Sequence, residues 1–255
     1  MENYAIIKLL NRREYKRMKR ILLMVFRNII YVPYMWIRLC YHASHADKYT
    51  DEEHYSLFKF IVKRANKSGN LLVKKYGEEN IPKEGGFIFY PNHQGMYDLL
   101  AIIDACDIPL SFVGKKEVSN VPFLKQVNAC AKGYWIDRQD VRQGMKVIMS
   151  ITQDVKQGKN FVIFPEGTRS KNGNKLGEFK GGSFKAATKA KCPIVPVALI
   201  DCFKPFDESS IRQVTVQVHI LEPIYYEEYK DLKTVEIAEI VKGRIEAVID
   251  EYEEK

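Results

Sequence analysis

Seven short apolar runs, residues 71–76, 86–90, 110–114, 134–136, 160–164, 194–200 and 214–220, punctuate the chain, and each is of strand length. Between them lie stretches with helical spacing: Leu99, Leu100, Ile102 and Ile103 form one, and residues 141–157 and 183–190 form two more. A last one, residues 234–254, sets Ile237, Val241, Ile245, Val248 and Tyr252 against an acidic opposite face, the pattern of a helix packed on a core. Strands alternating with helices predict an α/β fold with a mixed, mostly parallel sheet flanked by helices. A chain of 255 residues is long enough for one such domain with an appendage.

The appendage is at the front. Residues 1–42 hold nine Lys or Arg against Glu2 and Glu14, a local charge of +7 out of the chain's +8, so the body is close to neutral. Residues 16–20 are the densest basic cluster, followed by a run rich in Ile, Leu, Met, Phe and Tyr with Trp36. Arg27, Asn28 and Arg38 interrupt this run, and Pro33 is expected to kink or break a helix within it. Its longest unbroken apolar stretch, residues 29–37, is well short of the roughly 18 residues of a spanning helix. Two helical pieces lying in an anionic membrane interface fit this pattern. A pair packed on the protein itself, with its basic face in water, is the alternative. The expected division is a basic, aromatic-rich membrane-interface segment at 1–50 and an α/β domain at 51–255, entered through a helix at 52–68. A nucleic-acid partner is not indicated, because the body has no base-reading motif.

Cys40, Cys106, Cys130, Cys192 and Cys202 form no C-x-x-C pair, which points to reduced thiols. The opening residues lack the apolar core and cleavage site of a secretory signal. His42, His45 and His54 have no matching ligand spacing and read as part of a connector and a helix start, so no metal is expected.

Residues 91–98, Pro-Asn-His-Gln-Gly-Met-Tyr-Asp, carry the most chemistry. They follow a buried strand and lead into a helix, which is how an α/β protein brings a reactive side chain to a sheet edge. His93 and Asp98 are five apart, about 140° on one regular helix, so they meet only if His93 is in the turn and Asp98 points back from the first helical turn. The carboxylate then fixes the tautomer and leaves one ring nitrogen as a base, and the nearby helix N-terminus disfavours the imidazolium. Asn92 is placed to tie the turn to the backbone. A histidine that merely caps a helix is the plain alternative.

Three further strand ends supply polar groups: Lys115, Arg138, and the run Glu166, Gly167, Thr168 and Arg169. Gly167 allows a tight turn and close ligand approach, Arg169 offers a planar fork for phosphate, and Lys115 a point charge. Cations gathered near a histidine base imply an anionic substrate with a hydroxyl to deprotonate. Singly, each is equally readable as a turn ion pair or a solvated loop end.

The ordered set of Asn92-His93 with Asp98, residues 133–138, residues 164–170 and residues 194–198 resembles the four sequence blocks of the glycerophosphate acyltransferases, most closely the 1-acyl-sn-glycerol-3-phosphate acyltransferases. The resemblance covers about residues 70–220. It implies that His93, oriented by Asp98, deprotonates the sn-2 hydroxyl of lysophosphatidate for attack on the thioester of acyl-CoA or acyl-carrier protein. By the same resemblance Arg169, Arg138 and Lys115 hold the phosphate, Asn92, Glu166, Gly167 and Thr168 shape the acceptor pocket, and Pro196 lines or supports the acyl site. It further implies no metal or bound cofactor and a peripheral position on the cytoplasmic face of the membrane. Gly95 departs from the pattern, which often has Ser or Thr there. A different acceptor, such as glycerol-3-phosphate, or a noncatalytic lipid-binding protein on the same fold are the competing readings. A nucleotide-binding G-x-x-x-x-G-K-[ST] loop and a G-x-S-x-G nucleophile turn are both absent from the sequence. Removal of residues 1–42 is expected to abolish vesicle binding and leave the fold intact.

Overall fold

The computed structural model describes residues 12–254, with side chains from Lys19 onward. Residues 4–11 of the basic opening, including Lys8, lie outside the described residues. Three helices come first: α1 (Arg12–Arg27), α2 (Tyr31–Ser44) and α3 (Asp51–Ser68). The alternating part runs β1 (Leu71–Tyr76), β2 (Ile88–Pro91), α4 (Asp98–Ala105), β3 (Ser111–Lys115), α5 (Leu124–Cys130), β4 (Tyr134–Ile136), α6 (Val141–Lys156) and β5 (Phe161–Val162). It continues through α7 (Lys185–Ala190), β6 (Ile194–Ile200), α8 (Lys204–Asp207), β7 (Val214–Ile220), α9 (Tyr226–Tyr229) and α10 (Thr234–Glu253).

The seven strands form one sheet in the order β1-β7-β6-β2-β5-β3-β4, parallel throughout except for the antiparallel β6–β7 pair. This is the mixed, mostly parallel sheet that the alternation predicts. Both faces are covered. Phe89, Val162, Val195, Val197 and Leu199 point to the layer of α1–α5, while Ile88, Tyr90, Phe161, Ile194 and Ala198 point to α6, α7 and α10. Burial on two faces explains why the strands read as unbroken apolar runs. Each large side chain so buried contributes about 1.5–3 kcal/mol.

Two local expectations change. The strand expected over 160–164 is paired only at Phe161–Val162, with Ile163 N–H still donating to Phe89 O at 2.9 Å. The helix expected from 183 opens with a 3₁₀ turn, Gly181–Phe184.

At the front, α1 and α2 meet at a 96° bend. Pro33 does not cause it. Pro33 lies in the first turn of α2, where its missing N–H is tolerated, and the break falls at residues 28–30. Asn28 ties the corner, its amide donating to Met24 O at 2.8 Å and to Ser68 Oγ at 2.7 Å. Phe26, Ile30 and Ile37 are 70%, 83% and 66% exposed, while Met24 and Leu39 enter the core that α3, α4 and the sheet share. Arg20 is buried as well, its guanidinium donating to the carbonyls of Pro205, Gly69, Ser210 and Arg212. These contacts correct the expectation that residues 1–42 can be removed without harm, because removal strips a covered core face and leaves four carbonyls without their donor. Among the described residues no single helix is long and apolar enough to cross a membrane; only the bent pair together passes that test of length and composition.

Candidate active site

The parallel strands β2, β3, β4, β5 and β6 end on one edge of the sheet, and the polar groups named above are distributed along it. His93 follows β2 directly. Its Nδ1 lies 2.7 Å from Asp98 Oδ2, and the turn between them is held by the same carboxylate. Asp98 Oδ2 also accepts from Gln94 N–H at 2.6 Å, and both its oxygens accept from Gly95 N–H at 3.0 Å. A carboxylate that only accepts takes a hydrogen bond from Nδ1–H, so in the neutral ring the lone pair is on Nε2. Burial draws the Asp98 carboxyl up from its usual range, against the pull of these hydrogen bonds. The imidazole lies against the Phe164 ring, centroids 4.2 Å apart, and its side chain is 24% exposed. The base is therefore clamped on one side and open on another.

The loop after β5 holds the same turn from outside. Glu166, buried, accepts from His93 N–H at 2.8 Å through one oxygen and from Gly177 N–H at 3.0 Å through the other. Burial raises its carboxyl above the usual range, and the His93 and Gly177 N–H groups oppose this. Ser170 N–H donates to His93 O at 2.9 Å, closing the connection. Glu166 thus braces the loop and the catalytic-looking turn, and Arg169 is not its ion-pair partner among the described residues.

Pro196 is inside the sheet, and Asn92 is buried just past the end of β2. Both polar ends of the Asn92 amide are used by Leu199, donating to its carbonyl at 3.0 Å and accepting from its N–H at 2.7 Å. Asn92 is consequently not free to touch a substrate, which corrects that expectation; its tie to the backbone is the part of the reading the structure supports. Pro196 is buried in mid-strand beside Tyr90, where it supports the edge from within the sheet. Gly95 has a steric reason: a Cβ there would stand 3.0 Å from Phe203 Cα and 3.1 Å from Cys202 O. A Ser or Thr would press on backbone, and a hydroxyl role at this position is absent.

The cations divide. Arg138 meets Gly167, whose φ of +69° is the left-handed conformation that glycine adopts freely. A Cβ on Gly167 would lie 3.6 Å from Arg138 Cζ and 3.8 Å from Lys180 Nζ, so the missing side chain leaves room in front of two positive groups. Burial lowers Arg138 from its usual value, with Glu117 opposing. Lys115 ends β3 opposite Ile136 of β4, two residues before Arg138, and is exposed. Thr168 is exposed and Arg169 half-buried on the same loop as Glu166.

Lys180, Phe164 and Gln94 were not singled out from sequence. Gln94, buried, accepts from Cys202 N–H at 2.8 Å and donates to Leu199 O at 2.8 Å and Asn174 Oδ1 at 2.9 Å. A cation just before the Gly181-Gly182 pair was the available signal for Lys180; only contact reveals the other two.

Arg138, Gly167 and Lys180 line a cavity of about 330 Å³ together with Asp137 and Asp140 and a largely apolar remainder that includes Val113, Val147, Ile148, Ile151, Ile163 and Ala186. Phe164 forms part of the same wall, which brings the cavity beside His93. A second cavity of about 300 Å³, lined by Asp51, Tyr55, Pro109 and Asn160, contains none of these groups. His42 and His54 are buried with Nδ1 atoms 3.2 Å apart, and His54 Nε2 lies 3.1 Å from Ala46 O. With His54 donating to that carbonyl, its Nδ1 is left to accept from His42, a chain that joins α2 to α3. Among the described residues no group of three or more His, Cys, Asp or Glu is placed to hold a metal ion.

Fold and site together define an α/β group-transfer enzyme with a histidine–carboxylate pair in the H-x₄-D spacing. Residues 72–200 match the family described as Acyltransferase, and the chain belongs to that family and is an acyltransferase. It is similar to the 1-acyl-sn-glycerol-3-phosphate acyltransferase of Salmonella typhimurium, 27% identical over 92% of this chain and 96% of the relative. The protein of the same description from Escherichia coli K12 is 28% identical over 92% and 96%. The crystal structure of the 1-acyl-sn-glycerophosphate acyltransferase of Thermotoga maritima has the same fold, with a TM-score of 0.75 at 23% identity over 94% of this chain and 98% of that one.

Proposed function

We propose that the enzyme transfers an acyl group from a thioester, on coenzyme A or an acyl carrier protein, to the sn-2 hydroxyl of 1-acyl-glycerol-3-phosphate, giving phosphatidate and a free thiol. The observation that carries this reading is the His93–Asp98 pair beside a largely apolar cavity whose lining includes Arg138 and Lys180. The descriptions of the Salmonella and Escherichia relatives support the acceptor.

In this mechanism Nε2 takes the hydroxyl proton as the oxygen attacks the thioester carbonyl. Asp98 steadies the resulting imidazolium, and the tetrahedral intermediate expels the thiolate, which recovers the proton from Nε2. Positioning and one base suffice because a thioester is already activated. Arg169, Arg138, Lys115 and Lys180 hold the acceptor phosphate, Gly167 gives it room, and Thr168 offers its hydroxyl. The apolar cavity takes the acyl chain. Asp98, Asn92 and Glu166 act by holding the turn.

The segment at 1–50 places this edge at a bilayer, with Phe26, Ile30 and Ile37 entering the interface and the enzyme peripheral on the cytoplasmic face. Phe26→Ser, Ile30→Ser and Ile37→Ser combined are expected to release the enzyme from anionic vesicles with the melting temperature held, read by vesicle sedimentation. The deciding experiment for function is thiol release with acyl-CoA or acyl carrier protein and lysophosphatidate, run beside His93→Ala. Turnover with glycerol-3-phosphate in preference to lysophosphatidate would shift the acceptor, and absence of product with every acceptor would leave lipid binding as the function.

A further inference from the structure

The inner side of α6 enters the core through Val147, Ile151 and Val155, and Gly144 and Ile148 line the apolar cavity. Beyond Val141, its outer side is not part of the cavity lining. Val141, Met145 and Met149 stand there in line, 75%, 56% and 63% exposed. Four-residue spacing keeps the three within an arc of about 80° and along about 12 Å of helix. Arg142, Lys146 and Lys156 are exposed on the same side. Asp154, the one acid within the helix, is turned away to Lys159 and Tyr134, and the exposed N-cap Asp140 is engaged by Gln143 N–H at 3.0 Å. The adjoining α7 adds exposed Lys185 and Lys189. None of these five cations forms an ion pair among the described residues. The near-neutral charge of the body conceals this local surface.

Flexible apolar side chains ringed by unpaired cations complement an acidic protein surface with apolar residues of its own. A bilayer is the other surface of that chemistry, but the exposed apolar residues of α1 and α2 lie on the opposite face of the sheet, so α6 is turned away from the surface they would enter. The stripe begins at Val141, which also lines the cavity beside Arg138. A protein seated on it is next to that cavity.

We infer that the outer face of α6 docks an acidic carrier protein that presents the acyl thioester on its pantetheine arm. This rests on the acyl-transfer reading of the site. The test uses the full chain on lysophosphatidate vesicles with matched acyl chains on coenzyme A and on acyl carrier protein. The variants are Arg142→Glu with Lys146→Glu and, separately, Met145→Asp, all at exposed positions outside the cavity lining. The KM for the acyl carrier protein rises on the order of ten-fold or more while the constants with acyl-CoA stay within about two-fold, since rim charges act mainly on encounter. Binding of holo-carrier protein to immobilised enzyme weakens in parallel. Unchanged carrier-protein kinetics, an equal loss with both donors, turnover with acyl-CoA alone, or loss of vesicle binding in place of carrier binding each overturn the docking surface while acyl transfer stands. Absence of product with either donor removes the acyl-transfer reading and this inference with it.

Discussion

From Pro91 to Asp98 the polar groups of the turn are engaged: Asn92 by Leu199, His93 by Glu166, Ser170 and Asp98, and Gln94 by Cys202 and Asn174. Around it, Lys115, Arg169 and Lys180 have no ion-pair partner among the described residues, and Arg138 has only the more distant Glu117. A base in the proposed role needs one geometry, and the hydrogen bonds of its turn hold one in the absence of substrate. The cations need charge and reach, and an internal partner would compete with an anionic ligand. Rigidity and availability are assigned to different residues of one site.

The comparison breaks if the turn tolerates substitution. Asp98→Asn turns an amide N–H toward Nδ1, reverses the tautomer and places the proton on Nε2. It and His93→Ala are expected to lower kcat on the order of 10³-fold or more, read by thiol release. Glu166→Gln exchanges one accepting oxygen for an amide that cannot accept from His93 or Gly177. A loss of about 1–3 kcal/mol in urea unfolding together with a lower kcat is expected, because the brace serves both fold and turn. The cationic side is sharpened by Arg169→Ala, which raises the acceptor KM about 10- to 100-fold, from charged hydrogen bonds of about 1.5–3 kcal/mol, with the melting temperature unchanged. Arg169→Lys recovers only part, since the planar fork is lost.

The smallest effect lies away from the edge. Burial, then His54 and Arg38, hold the His42 imidazole below its ordinary value. The unfolded chain therefore binds the proton more readily, and the stability from this joint is present above about pH 6.5 and lost as pH falls toward the folded value. Melting curves between pH 7.5 and 5.5 are expected to show a decline that His42→Gln reduces.

Much of this was legible in the residues. Short continuous apolar runs alternating with helical spacing point to an α/β sheet buried on both faces, and the five-residue gap from His93 to Asp98 allows only a turn followed by a helix start. Strand ends were less legible, since β5 pairs over two residues while its apolar run is longer. Asn92 and Glu166 looked like ligand contacts because polar residues in a motif give no sign of which way they face.

Linear order and side-chain chemistry thus determined the sheet, the His93–Asp98 pair and the supply of cations, because periodicity and local spacing act over a few residues. Tertiary structure decided that Glu166 and Asn92 are braces, that Lys180 joins Arg138 over Gly167, and that the bend falls at Asn28 and not at Pro33. Each depends on a partner some 40 to 110 positions away or on the neighbouring strand, and contacts over such separations are set only when the sheet closes.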